Sequence, residues 1–580
     1  MSAEFASGSR PAPTRRTLVV GAIASAAWIH TAAPSVAVPQ AAGSAGTVPS
    51  PADSPDAVVV DPRYTAEAIA PWGAAIPAGN QSRPERVGTH HSGLHFQPTG
   101  MGRDGEERGL LMIGHEYVGG VETALGRSGR PLIKADLEEM LAAVGVTIVA
   151  VRKDGDGSRT TTAPANRRIT GVTPTAFSGP VGSDRPELRT SLPAMGVLAA
   201  SFHGATPWGT VLACEENFNR FFGTDDPAWS PDENERRYGL DAFGYGHCWH
   251  RADDRFDVSA SPREPNRYGW VVEIDPADEK SLPVKRTALG RFGHAGATVT
   301  EAHGRVVAYS GDDEDGGYLY KFVGDRPWRT HVRSGRSPLD HGTLLVARFD
   351  EDGSGHWLPL IHGSGPLIRR NGWRDQADVL LRTRQAADAV RATPLGRPQQ
   401  VALHPRLGDG FLALADVASV KGCHASSCAT PAMALGPGAD TGRILQWHEI
   451  GSDPAVRSFR WRFAAMGDDG RGRAGVPAAT LGSPRGLRFD RVGRLWITTG
   501  GVFGGHEDSA ASALLAADPE SGTVVRVATA PHGARFNGVS GNPDGRTVFV
   551  NVRHADRPDS RERSATIAVS RRDGAVISPI

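Results

Sequence analysis

A thiol, two carboxylates and a carboxamide stand in a row at Cys214, Glu215, Glu216 and Asn217. They follow the apolar run 211–213, short enough to be a single buried strand. A soft sulfur beside hard oxygens can present ligands to a transition metal and to calcium in one place. The plainer reading is a buried cysteine closing a strand, with solvated acids and a turn after it; composition alone favours it. A second concentration is the run Ser310-Gly311-Asp312-Asp313-Glu314-Asp315, set between two strand-like stretches. Four acids in such a turn can bind calcium, which takes about six to eight oxygens; an acidic surface turn is the alternative. His294, held between glycines, reads as a hydrogen-bonded turn residue more readily than as a ligand. Arg397 precedes the strand-like 401–403 and is a candidate oxyanion clamp, although surface arginines are commoner. A further apolar run, 110–113, leads into Gly114-His115-Glu116-Tyr117 and so ends in polar side chains.

The elements that must position these residues are mostly strands. Across 580 residues there are 71 glycines and 42 prolines, a balance that favours tight turns over long helices. A short unit recurs: an apolar strand, a turn containing glycine, a second apolar strand. It appears at 487–497 and at 539–552 around Pro543-Asp544-Gly545, with looser versions around Gly304 and Gly408. Glycine supplies the positive φ such a hairpin needs. One stretch, 135–144, carries Leu, Met and Ala at helical spacing. Repeated hairpins with few helices imply an all-β fold, a β-propeller, with long insertions such as 218–266. A sandwich or two β domains are the alternatives.

Acidic and basic residues balance at 64 each. No global field points to nucleic acid or to a membrane surface. Thr14-Arg15-Arg16-Thr17 precedes the apolar segment 18–28, and small residues follow between Ala32 and Ala42. That pattern resembles a twin-arginine export signal over 1–42, placing the mature chain in the periplasm, at the cell surface or outside the cell. A transmembrane anchor is the alternative, but the run is short of the roughly 20 residues a span needs. Residues 43–57 read as a disordered linker and 58–580 as one folded domain, with no membrane contact after cleavage. Four cysteines cannot scaffold so long a chain. Cys423 and Cys428 can close a small disulfide loop, remain a thiol pair, or form a metal clip with His424.

In this order, these segments resemble the PhoX family of secreted alkaline phosphatases, from about Tyr64 to Asp556. The densest matches are the Cys-Glu-Glu-Asn-Phe-Asn segment, 268–276, 284–292, the acidic run 311–314, 342–349, 375–378 and Arg397-Pro398. The resemblance implies a six-bladed propeller with helical and loop insertions. It also implies a channel holding iron and calcium, and hydrolysis of phosphate monoesters at alkaline pH. By the same resemblance Cys214 is the iron-binding cysteine. Glu116, Glu215, Asp312, Asp313 and Glu314 fall in metal-binding motifs, and Arg397 is the phosphate contact. The expected partner is a small phosphorylated substrate or phosphate, and a monomer is expected.

The sequence departs from the family pattern at positions that bear on the metals. Ala295 and Gln399 stand where ligating glutamates are usual, and Arg485 and Arg535 where acidic or amide residues are usual. Fewer carboxylates and more guanidinium groups disfavour a cluster of highly charged cations. Three readings follow: a PhoX-like phosphatase with an altered metal complement, a non-catalytic propeller binding an anion or a protein, and a metal-dependent hydrolase of other esters.

Overall fold

Each hairpin legible in the sequence forms, and each is the innermost pair of a propeller blade. The computed structural model describes residues 57–77, 85–102, 107–118, 132–154, 157–415, 442–464, 466, 482–500, 512–554 and 564–578. The export-signal segment and the Cys423–Cys428 pair lie outside the described residues. Among the described residues the strands form six antiparallel blades. Blade 1 runs outward through His91–Met101, Glu107–His115, Gly145–Asp154 and Gly157–Thr161. Blade 2 follows with Ala200–Ala205, Val211–Glu215, Val271–Ile274 and Val284–Arg286.

Blade 3 holds Thr298–Ala302, Arg305–Gly311, Leu319–Pro327 and Gly342–Phe349. Blade 4 holds Pro398–Leu403, Gly410–Leu414, Arg443–Glu449 and Ser458–Phe463. The strand Ser354–Pro359 pairs with the outer strand of each and joins the two blades into one sheet. Blade 5 is Pro484–Phe489, Leu495–Thr499, Ala513–Ala517 and Val524–Thr529, with Val59–Val60 on its outer edge. Blade 6 is Ala534–Gly541, Thr547–His554 and Ala565–Arg571, completed by the early strand Tyr64–Pro71. The ring is thus closed by pairing the beginning of the fold with its end.

The insertions read from the sequence fall between strands of one blade. Between the second and third strands of blade 2, residues 218–267 form a series of short helical turns. Their aromatic residues Phe218, Phe221, Phe222, Trp249 and Phe256 pack into one core with Leu137, Met140 and Leu141 of the helix that follows blade 1's second strand. The helix expected near 135–144 is present as Lys134–Ala143, and it buries Leu137, Met140 and Leu141. No described helix is long and apolar enough to cross a membrane.

Inner strands of neighbouring blades approach closely around the channel, and glycine permits it. A β-carbon on Gly93 of blade 1 would stand 1.9 Å from the carbonyl oxygen of Ser201 in blade 2. One on Gly204 of blade 2 would stand 1.7 Å from the carbonyl oxygen of Ala297, just ahead of blade 3. Two histidines are buried in this hub, His91 and His203. Burial pulls the imidazole of His91 down to about 3 and that of His203 to about 4. Both are therefore neutral in the folded protein, while the unfolded chain takes up their protons below about pH 6.5. The unfolded state binds more protons between those values, so stability falls as pH falls from 6.5 toward 4. Each histidine is expected to remove on the order of 2–3 kcal/mol by pH 4. Denaturant titrations at pH 7 and pH 4.5 check this; a flat profile would show that neither ring resists protonation.

Candidate active site

In an antiparallel hairpin the start of the first strand and the end of the second lie at the same end. The catalytic and metal candidates Glu116, Glu215, Asp312, Asp313, Glu314 and Arg397 sit at this end of their blades. Glu116 follows the second strand of blade 1, and Glu215 and Glu216 close or follow that of blade 2. Asp312, Asp313 and Glu314 follow the second strand of blade 3, and Arg397 precedes the first strand of blade 4. One rim of the channel gathers them.

The backbone at this rim repeats. The residue just before the inner strand has positive φ in five blades: His90 at 51°, Ala199 at 51°, Arg397 at 50°, Ser483 at 58° and Gly533 at 76°. Four of these are not glycine, so each carries a strain of order 1–3 kcal/mol that the surrounding structure must hold. The second residue of the inner strand is correspondingly Ser92, Ser201, Gln399, Arg485 and Arg535. Blades 1 to 3 supply carboxyl groups to the rim; blades 4 to 6 supply guanidinium groups.

On the acidic side Asn217 bridges two carboxylates, donating through Nδ2 to Glu216 Oε1 at 2.8 Å and to Glu116 Oε1 at 3.5 Å. Glu216 is buried and hydrogen-bonded to Asp313. Burial, then the charges of Asp313 and Glu116, push the Glu216 carboxyl well above the usual range. Burial works to raise Asp313 too, but Arg397 and the bond from Glu216 hold it well below that range. Of the two, Glu216 is the one whose proton is held more tightly. Arg397 grips Asp313 with both prongs, Nε to Oδ1 at 2.8 Å and the terminal nitrogen to Oδ2 at 2.9 Å.

The neighbouring acids are each matched to a cation. Glu215 is fully buried; Lys285 Nζ donates to its Oε1 at 2.8 Å, and Leu198 N reaches the same oxygen at 3.3 Å. Its other oxygen accepts from the amides of Gly269 and Trp270 at 3.1 and 3.2 Å. Asp312 is held by Arg384 through bonds of 2.8 and 2.6 Å and by the amide of Gly293 at 3.1 Å. Glu116 accepts from Arg553 at 3.1 Å. Glu314 is partly exposed, 3.7 Å from Arg384.

Cys214 belongs to the apolar core with Leu212, Trp270 and Phe292. Burial, then Glu216 and Glu215, raise its thiol well above the usual value, so it is a neutral thiol here. His294 hydrogen-bonds Ser310 Oγ and the Gly290 carbonyl, each at 2.9 Å, as a turn residue does. Ala295 uses its amide to bond the Gly311 carbonyl and presents no donor side chain.

Three cations escaped the sequence reading as parts of the site: Lys285, Arg384 and Arg553. Lys285 left one trace, a lysine in a strand of a chain poor in lysine. Arg384 lies on the helix Thr383–Ala389, outside any blade, and its partner is 72 residues away. Nothing local in the sequence marks it.

A propeller whose channel rim opposes carboxyl and guanidinium groups is a scaffold for handling an oxyanion. The family model described as Alkaline phosphatase PhoX matches residues 45–556. Pseudomonas fluorescens PhoX in complex with vanadate, a transition state analogue, superposes with a TM-score of 0.79. It is 31% identical, over 90% of this chain and 97% of that one. The chain belongs to the PhoX family of alkaline phosphatases. No curated protein matches. Cobalt-substituted Synechocystis ACO (11% identity, 92% and 98% of the two chains, TM-score 0.30) overlaps too weakly to bear on this one. The same holds for the Xanthomonas citri GH43_1 enzyme complexed with xylose, at 13%, 54%, 81% and 0.26.

Membership implies a metal-dependent site. The side chains as they stand do not fit a cluster of several cations. Among the described residues no three His, Cys, Asp or Glu side chains are placed together to hold a metal ion. Glu215, Asp312, Asp313 and Glu116 each already face a lysine or an arginine.

Proposed function

We propose that this chain hydrolyses phosphate monoesters at the channel rim, after export, with fewer metal-ligating carboxylates than the family pattern carries. The observation that carries the reading is Arg397, a guanidinium held in a strained backbone position beside Asp313 at the mouth of blade 4. Asp313 takes one edge of that guanidinium and fixes its orientation, and the N–H donors of the other edge suit the equatorial oxygens of a transferring phosphoryl group. Glu216, whose carboxyl is raised by burial and by Asp313, stands beside Asp313 and is the group suited to give a proton to a leaving alkoxide. The vanadate held by the Pseudomonas fluorescens relative supports an oxyanion as the ligand of this fold. The sequence at 14–42 supports export by the twin-arginine route, with the folded chain carried across a membrane and its signal removed.

Turnover of a chromogenic phosphate monoester by protein purified from an exporting host tests the reading. Activity at alkaline pH is the expected result, and its response to chelation and to resupplied iron or calcium, with elemental analysis, gives the metal requirement. Folded protein that shows no turnover after both metals are resupplied would sink it. The ion pairs that occupy the acids favour a second reading, a propeller that binds phosphate without turning it over. Phosphate binding with no turnover under every metal condition is the outcome that selects it.

A further inference from the structure

Arg485 and Arg535 are both half-buried at the rim. They occupy the same position in adjacent blades, the second residue of the inner strand, and Gln399 holds that position in blade 4. Gly500, at the end of the neighbouring strand, leaves the space the first of them uses. A β-carbon there would come within 2.7 Å of Arg485 Nε. Arg485 lies within electrostatic reach of Asp313, Arg397, Arg553 and Glu216, and Arg535 within reach of Arg553 and Arg485. Four guanidinium groups, Arg397, Arg485, Arg535 and Arg553, therefore line the rim beside three carboxyl groups, Glu116, Glu216 and Asp313. The rim holds an excess of positive charge with no metal counted.

The electrostatics bear the marks of an anion site. Burial lowers the guanidinium of Arg485, and burial followed by Arg553 and Arg485 lowers that of Arg535 to about 10. Crowded, desolvated cations of this kind gain most from a doubly charged oxyanion placed among them. In a multi-metal site the cations would neutralise the phosphate oxygens; here the fixed charges are the protein's own.

We infer that Arg485 and Arg535, together with Arg397 and Arg553, bind a phosphate group directly, with no metal ion between protein and ligand. The inference rests on the reading that the channel takes a phosphate group, but not on turnover. Calorimetric titration of the full chain with inorganic phosphate, after exhaustive chelation checked by elemental analysis, tests it. Binding is expected in the chelated protein. It should weaken about ten-fold in Arg485→Gln and in Arg535→Gln, and further in the double variant, each charge-assisted bond being worth about that much. Lysine at each position should recover part of the affinity, and thermal melts without phosphate confirm that each variant is folded. Binding that appears only when calcium or iron is added overturns the inference, as does a folded double variant with unchanged affinity. Phosphate binding without any turnover would leave this inference standing while removing the phosphatase reading. Turnover with strictly metal-dependent binding would do the reverse.

Discussion

Lys285→Met is expected to destabilise the protein by about 3–5 kcal/mol, the cost of leaving a buried carboxylate without its cation. Lys285 and Glu215 are both buried to within 1% of full enclosure and stand 2.8 Å apart. Burial raises the carboxyl of Glu215 and lowers the ammonium of Lys285, and each partner offsets only part of that cost in the other. The pair is therefore not a reserve of stability in itself; removing one member is what hurts. The double variant Lys285→Met/Glu215→Gln is expected to regain part of the loss, because the amide oxygen can still accept from Gly269 and Trp270, while its nitrogen faces the Leu198 N–H without accepting from it. Denaturant titrations of the two single variants and the double variant give the coupling directly. A single variant within 1 kcal/mol of the parent, roughly the range of an exposed pair, would show that Glu215 finds water or another cation.

Arg397→Met is expected to lower kcat/KM for a phosphate monoester by about 10²–10³-fold, the range for losing one preorganised donor to a developing oxyanion. The positive φ of 50° at this position is set by the blade, and methionine meets the same backbone strain as arginine. The comparison therefore isolates the side chain. Arg397→Lys keeps the charge but loses the two-pronged geometry that now spans both oxygens of Asp313, so it should recover only a minor part. Steady-state kinetics on parent and both variants settle the point. Lysine at full activity would mean that Arg397 supplies charge alone, and methionine at full activity would remove it from the reaction.

Most of the fold was legible in the sequence because its signals are local. Asp490 to Gly493 and Asn542 to Gly545 form tight turns inside hairpins, and the alternation on either side gives the strands. The acidic half of the site was legible for the same reason, since Cys214 to Asn217 and Asp312 to Glu314 are each continuous in the chain. Of the cationic half, Arg397, Arg485 and Arg535 could be picked out, but not the partners that the cations take. Arg553 meets Glu116 across 437 residues, Arg397 meets Asp313 across 84, and Lys285 meets Glu215 across 70. No pattern within a window records such pairings: the first arises where the ring closes, the second between adjacent blades and the third across one blade. The division of labour between Glu215 and Glu216 was equally hidden. Adjacent residues in a strand point to opposite faces, and a bulge between Ala213 and Glu215 decides which faces the rim.

The closing strand Tyr64–Pro71 has a consequence for how the protein comes into being. Blades 1 to 5 can form in order as the chain is made, since each is nearly local. Blade 6 needs Ala565–Arg571 before its first-made strand has anything to pair with. Until the last fifteen or so residues are free, Tyr64–Pro71 is an unpaired edge, and Arg553 has no fixed blade from which to reach Glu116. The reactive rim is thus among the last parts to be assembled, and a chain released early carries an open ring and an incomplete site. Truncation by a single terminal strand would remove activity and solubility together, although no rim residue lies within it.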